Sequence, residues 1–152
     1  MAVLKSEDQE SLSALELIGG PLRQVTDQTW QRFSLILTSG TTKLSLGVAN
    51  STPDEDDACI LCRKPDDEIT RFIKLVQELV DFDRDKLLFE PAEPSFELMI
   101  ERSNITGLRV SAWLDAGNAK TGIYRWDAAG IRFFTLQEHL VTFLHELKSE
   151  FA

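Results

Sequence analysis

Cysteine is almost missing from this chain, which has two, Cys59 and Cys62. A closed zinc site needs four ligands, and the only histidines, His139 and His145, stand far away near the C-terminus. Six residues apart on one helix, those histidines point about 120° away from each other and form no ligand pair. The segment Cys59-Ile60-Leu61-Cys62 has the spacing of a redox pair. In a strand, however, residues three apart face opposite sides of the sheet, and a redox thiol belongs at a helix N-terminus. Both cysteines are read as core residues, and neither metal nor cofactor is expected.

Other absences narrow the chemistry further. There is no glycine-rich phosphate loop, since Gly117 and Gly122 stand isolated. Ser111 and the other serines lack a nucleophile-elbow setting. With no nucleophile, base or metal nominated, the chain reads as a non-enzyme, and no catalytic residue is assigned. No apolar run approaches the roughly 20 residues that cross a bilayer. The opening MAVLKSEDQES carries one Lys, a very short apolar patch and then acid, unlike a secretory signal. The expectation is a cytoplasmic protein. Basic residues are also in deficit, with 16 Lys and Arg against 25 Asp and Glu and a net charge of −9. Such a chain is repelled by nucleic-acid phosphates and by anionic membranes. A protein partner with a basic surface remains compatible.

What is present describes one globular domain spanning residues 1–152. It has 43% hydrophobic and 27% charged residues, and a chain of this length buries roughly two thirds of its unfolded surface. Residues Ser6 to Ile18 fit either a short helix or a strand, because periodicity does not arbitrate over so few positions. Gly19-Gly20-Pro21 stops that element, and Pro21 to Thr29 has the composition of a loop. Phe33, Leu35 and Leu37 then alternate with polar or outward positions. After Ser39-Gly40-Thr41, so do Leu44, Leu46 and Val48, the pattern of an antiparallel hairpin. Ala58 to Cys62 predicts a third strand. Pro65-Asp66-Asp67-Glu68 opens a helix, with Ile69, Phe72, Ile73, Val76, Leu79 and Val80 on one face.

After Phe82–Phe96, a proline-containing joint, the order returns. Phe96, Leu98 and Ile100 alternate, Ser103 to Gly107 turns, and Leu108, Val110, Ala112 and Leu114 alternate in reply. Thr121–Trp126 reads as a further strand, and Asp127 to Phe134 as either a hairpin arm or an early helical turn. Thr135-Leu136-Gln137-Glu138 has the capping-box pattern. A second helical stripe follows, formed by Leu136, Leu140, Phe143, Leu144, Leu147 and Phe151. The expected fold is therefore α+β. A mostly antiparallel sheet would come from two similar strand–strand–strand–helix halves, about 31–82 and 94–151, covered by two amphipathic helices.

Acidic residues supply the one candidate binding site. Asp54, Glu55, Asp56 and Asp57 form a run, and Asp66, Asp67 and Glu68 follow, opposed by Arg63 and Lys64. As a docking patch, these seven would steer a cationic partner in a salt-sensitive way. The run lacks the alternate-residue ligands, central glycine and closing Glu of a calcium loop. Trp113, Trp30, Tyr124 and Trp126 are candidate aromatic anchors. Trp113 faces outward if Val110, Ala112 and Leu114 face inward.

Two resemblances add to this reading. Glu90-Pro91-Ala92-Glu93-Pro94-Ser95-Phe96-Glu97-Leu98 is followed by a Gly-containing turn, a second strand and a terminal amphipathic helix. That arrangement resembles the WapI family of bacterial immunity proteins. Asp27-Gln28-Thr29-Trp30 matches an Asp-to-Trp segment entering the family's second strand, so the likeness covers residues 27–38 and 90–151. Asp127–Phe134 departs from the family's direct run into its helix. The resemblance implies a small cytoplasmic antitoxin that occludes a toxin domain, several of which are nucleases with basic clefts. Small size, a pI near 4.7 and, if residues 6–18 are helical, a helix–strands–helix–strands–helix order resemble type III secretion chaperones instead. That likeness implies a dimer holding an extended effector segment on apolar grooves.

Overall fold

The computed structural model describes residues 1–8, 12–47, 60–92, 95–115 and 128–152. Its first sheet contains β1 (Ala2–Lys5), β2 (Ala14–Val25), β3 (Gln28–Ser39), β4 (Thr42–Gly47) and β5 (Ile60–Lys64). Helix α1 (Glu68–Val80) follows. The second sheet, β6 (Lys86–Phe89), β7 (Phe96–Arg102), β8 (Gly107–Asp115) and β9 (Ala128–Leu136), precedes the last helix, α2 (Gln137–Glu150). Every strand pairing among the described residues is antiparallel. The α+β expectation holds, with two sheets in place of the single one read from the sequence.

Strand β3 organises the first sheet. Its full length pairs with β2, while its other edge is shared by β4, against Ser34–Ser39, and β5, against Thr29–Arg32. The pleat sends alternate side chains to opposite faces, so leucines align across four strands as Leu4–Leu15–Leu37–Leu44. Ala2–Leu17–Leu35–Leu46 makes the adjacent row. In the second sheet the inward rows are Leu87–Ile100–Val110–Phe133 and Phe89–Leu98–Ala112–Ile131. The two sheets share one core. Phe33 of the first sheet meets Phe96 of the second edge-on at 5.5 Å, and Phe89 stacks between Phe96 and Phe72 of α1. Helix α1 contributes Ile69, Phe72, Val76 and Leu79 to this core; α2 contributes Leu140, Phe143, Leu144 and Leu147.

Several local expectations change. Pro21–Thr29, read as loop, is strand at both ends: Pro21–Val25 continues β2 and Gln28–Thr29 begins β3; the pairing slips between Gly19 and Leu22, an irregularity that accommodates a proline without a ladder donor. Ala14–Ile18 is strand because β1 and β3 flank it on both sides. The joint itself contains β6, and Ala128–Leu136 is a hairpin arm. Helix α1 begins at Glu68, after the Pro65-Asp66 pair, because Asp67 serves as its N-cap. The capping box at α2 does not form. Thr135 is drawn inward, its hydroxyl donating to the Lys5 carbonyl at 2.6 Å, and the cap position falls on Leu136. Helix α2 docks on β1, where Glu146 accepts from the Val3 N–H at 3.4 Å and Glu150 accepts from the Gly19 N–H at 2.7 Å. The expected strand Thr121–Trp126 and Val48 lie outside the described residues. Among the described residues no helix is long and apolar enough to cross a membrane.

Candidate functional site

Of the seven acidic residues singled out in the sequence, Asp66, Asp67 and Glu68 fall at the start of α1, and two of them have structural work there. Asp54, Glu55, Asp56 and Asp57 lie outside the described residues. Asp66 is exposed. Asp67 is the N-cap, its carboxylate accepting from the Thr70 N–H at 3.0 Å with Arg63 3.4 Å away. Burial alone would push the Asp67 carboxyl up; the hydrogen bonds from Thr70 and the charge of Arg63 outweigh it and hold it below its ordinary value. Glu68 does not belong to an exposed patch. Its side chain is 1% exposed, with one oxygen accepting from the Cys62 N–H of β5 and the other from the Ala92 N–H of the joint, both at 2.6 Å. Arg71 lies 3.7 Å away. A buried carboxylate is tolerated because these donors replace its water, and the result is a clasp between β5 and the joint.

The other end of α1 is different. Here the chain closes the helix with Phe82 in the left-handed region, φ 61°. Phe82 N–H donates to the Leu79 carbonyl at 3.3 Å and Asp83 N–H to the Glu78 carbonyl at 2.9 Å, the bonding of a Schellman ending, where glycine is the usual residue. A bulky side chain in that conformation is an outlier, and this one is 51% exposed. Arg102, at the end of β7, lays its guanidinium 4.1 Å from the Phe82 ring centroid. The same group donates to the Leu79 carbonyl at 2.6 Å and to the Ile105 carbonyl at 3.4 Å. Burial pushes the Arg102 guanidinium down from its ordinary value while Asp85 acts in the opposite sense.

Two further segments converge on this end. In the β7–β8 turn, the Asn104 side-chain oxygen accepts from the N–H groups of Thr106 at 3.0 Å and Gly107 at 2.8 Å. That turn lifts Ile105 to 78% exposure. The start of α2 is tied in by Gln137, whose N–H donates to the Thr106 carbonyl at 2.8 Å and whose side-chain amide donates to the Val80 carbonyl at 3.0 Å. Thr106, Leu136, Gln137 and Glu138 line a shallow cavity there. Asp81, Asp83, Asp85 and Glu138 are exposed around it. The nearby cations are engaged: Arg84 donates to Glu78 at 2.9 Å, and Lys148 to the Gln77 side chain at 2.8 Å. Arg102 Nε and Gln137 Oε1 are buried with no hydrogen-bond partner among the described residues.

The remaining candidates are placed as follows. Val110, Ala112 and Leu114 face inward, and Trp113 faces outward at 37% exposure. Its ring lies over Gly130, which is its cross-strand neighbour. Trp30 is half-buried. Tyr124, Trp126 and Cys59 lie outside the described residues. Cys62 is a buried free thiol with its sulfur 3.3 Å from the Lys64 carbonyl oxygen. His139 and His145 both sit on α2 and are not brought together; His139 Nδ1 lies 3.3 Å from the Lys5 carbonyl oxygen.

No family model, curated protein or solved structure matches this chain. The Phe82 surface was within reach of the sequence only as an oddity: Val80-Asp81-Phe82-Asp83 ends a helix with acids and no glycine, against both the usual stop signal and the helix dipole.

Proposed function

We propose that this protein acts by binding another protein, without catalysis, as the bacterial immunity proteins resembled by its second half do. The partner in this reading is a basic toxin domain, met in the cytoplasm and occluded through an acidic surface. One observation carries it. Asp81, Asp83 and Asp85 stand exposed just beyond the C-terminal end of α1, where the helix presents its own partial negative charge. The helix dipole disfavours acids there; Asp81 is offset by the hydrogen bond it accepts from Gln77 Nε2 at 3.0 Å and Asp85 by the charge of Arg102, which leaves Asp83 with no such partner among the described residues. The net charge of −9, to which Asp54–Asp57 contribute, and exposed Asp66 at the opposite end of α1 agree with that reading. The order sheet, helix, sheet, helix also supports descent of residues 31–82 and 94–151 from one duplicated unit.

The chaperone alternative draws less support. Its order opens with a helix, whereas Ala14–Ile18 belongs to β2.

The test is capture from native host lysate at low salt, followed by a salt gradient and mass spectrometry. A basic protein eluting at moderate salt, whose toxicity in cells is suppressed by co-expressing this chain, is the expected result. Retention of no basic protein refutes the reading. Salt-resistant recovery of a secreted effector by a dimeric form moves it to the chaperone class.

A further inference from the structure

We infer that the partner docks on the far end of α1, with Phe82 and Ile105 as its apolar anchors, and that it presents a cationic surface with an apolar recess. This rests on the binding reading above but places the contact away from the acidic residues at the helix start. Those residues are explained by the fold: Asp67 caps α1, Glu68 clasps β5 to the joint, and an acid at position 66 complements the positive helix end. At the far end Asp81 accepts from Gln77 Nε2 at 3.0 Å and Asp85 faces the charge of Arg102, but the exposed apolar surface of Phe82 and Ile105 has no such account.

Two independent features coincide there. First, two large apolar side chains, Phe82 and Ile105, stand 51% and 78% exposed on segments that Arg102 holds together from beneath. Aromatic anchors that fill a recess carry most of the binding energy in protein interfaces. Second, Asp81, Asp83, Asp85 and Glu138 surround them while Arg84, Arg102 and Lys148 are turned to other partners. Charge complementarity therefore selects a cationic partner and speeds its approach. The Arg102 guanidinium packed 4.1 Å from the Phe82 ring centroid restrains that ring, so less side-chain freedom is lost on docking.

Two synthetic decapeptides provide the probe, one alternating arginine with leucine, the other arginine with serine. Each is titrated into the full chain at low salt, with affinity from calorimetry and location from backbone amide shifts. The leucine peptide should bind more tightly than the serine peptide, with the largest shifts at residues 81–85, 104–106 and 137–138. Phe82→Gly should weaken the leucine peptide by about tenfold or more and remove its advantage. Ile105→Ser, in an exposed turn, should weaken it in the same direction. Asp81→Asn with Asp83→Asn and Asp85→Asn should weaken both peptides at low salt and much less at high salt. Saturable binding with shifts centred on residues 63–68 and no effect of Phe82→Gly overturns this location while leaving the binding reading intact. Failure of both peptides to saturate overturns the cationic partner altogether.

Discussion

Replacing Glu68 with alanine tests whether the clasp between β5 and the joint is as tight as its geometry says. The carboxylate accepts from two backbone N–H groups at 2.6 Å and is 1% exposed. Cys62 is itself buried, so its N–H, once orphaned, bears the full desolvation penalty of about 1–3 kcal/mol. Ala92 is exposed, so water replaces its lost partner and the net cost there is about 0.5–1.5 kcal/mol. A removed methylene adds about 0.8 kcal/mol, and alanine recovers a few tenths through its better helix propensity. The sum is a loss of about 2–5 kcal/mol, a large fraction of the roughly 5–15 kcal/mol that stabilises an ordinary domain. Glu68→Gln, which keeps one acceptor oxygen, should fall between wild type and alanine. Urea unfolding followed by circular dichroism gives the free energies, with Asp66→Ala as the exposed control, expected within about 0.5 kcal/mol of wild type. Amide exchange supplies the local readout: the Cys62 and Ala92 N–H groups should lose protection beyond the global change. If Glu68→Ala costs no more than Asp66→Ala, the clasp contributes nothing and the reasoning is wrong.

Phe82→Gly should raise the melting temperature. Relief of the left-handed conformation is worth about 1–2 kcal/mol, and the exposed contact with Arg102 gives back about 0.5–1 kcal/mol; a lower melting temperature would show that the ring is there for stability. Asp67→Ala should cost about 1 kcal/mol through loss of the helix cap, and Asp67→Asn much less. Because the folded carboxyl lies below its ordinary value, its contribution is complete above about pH 4 and is lost as the pH falls through the folded value. Asp67→Asn should accordingly flatten the acid limb of a stability–pH curve. Gly130→Ala should be severely destabilising, since a Cβ there would overlap the Ala112 carbonyl oxygen and lie 2.8 Å from the Trp113 ring. Near-ultraviolet circular dichroism of the tryptophans reports that loss of packing, and an unchanged spectrum with unchanged stability would contradict it.

The acidic site shows where sequence reading stops. Asp66, Asp67 and Glu68 look alike as neighbouring acids, yet one is exposed, one caps a helix and one is buried between two backbone donors. Their difference arises from β5 and the joint, which a one-dimensional reading does not bring together. Phe82 was legible only as the start of the joint. Its conformation follows from the way α1 ends, and its setting follows from Arg102 and Ile105, 20 and 23 residues further along the chain.

The chain by itself determined what depends on short-range periodicity. Alternation at Phe33–Leu37 and Phe96–Ile100 dictated hairpin strands, and the stripe from Ile69 to Val80 dictated a helix, because apolar residues at period two or 3.6 have one way to leave water together. Tertiary structure decided the rest. Ala14–Ile18 became strand because β1 and β3 offered it partners on both sides, and Thr135 gave up its capping role because the Lys5 carbonyl lay within reach. Local preferences of a fraction of a kcal/mol yield when a long-range contact satisfies a buried backbone group, and those contacts are fixed only once the sheets and helices have met.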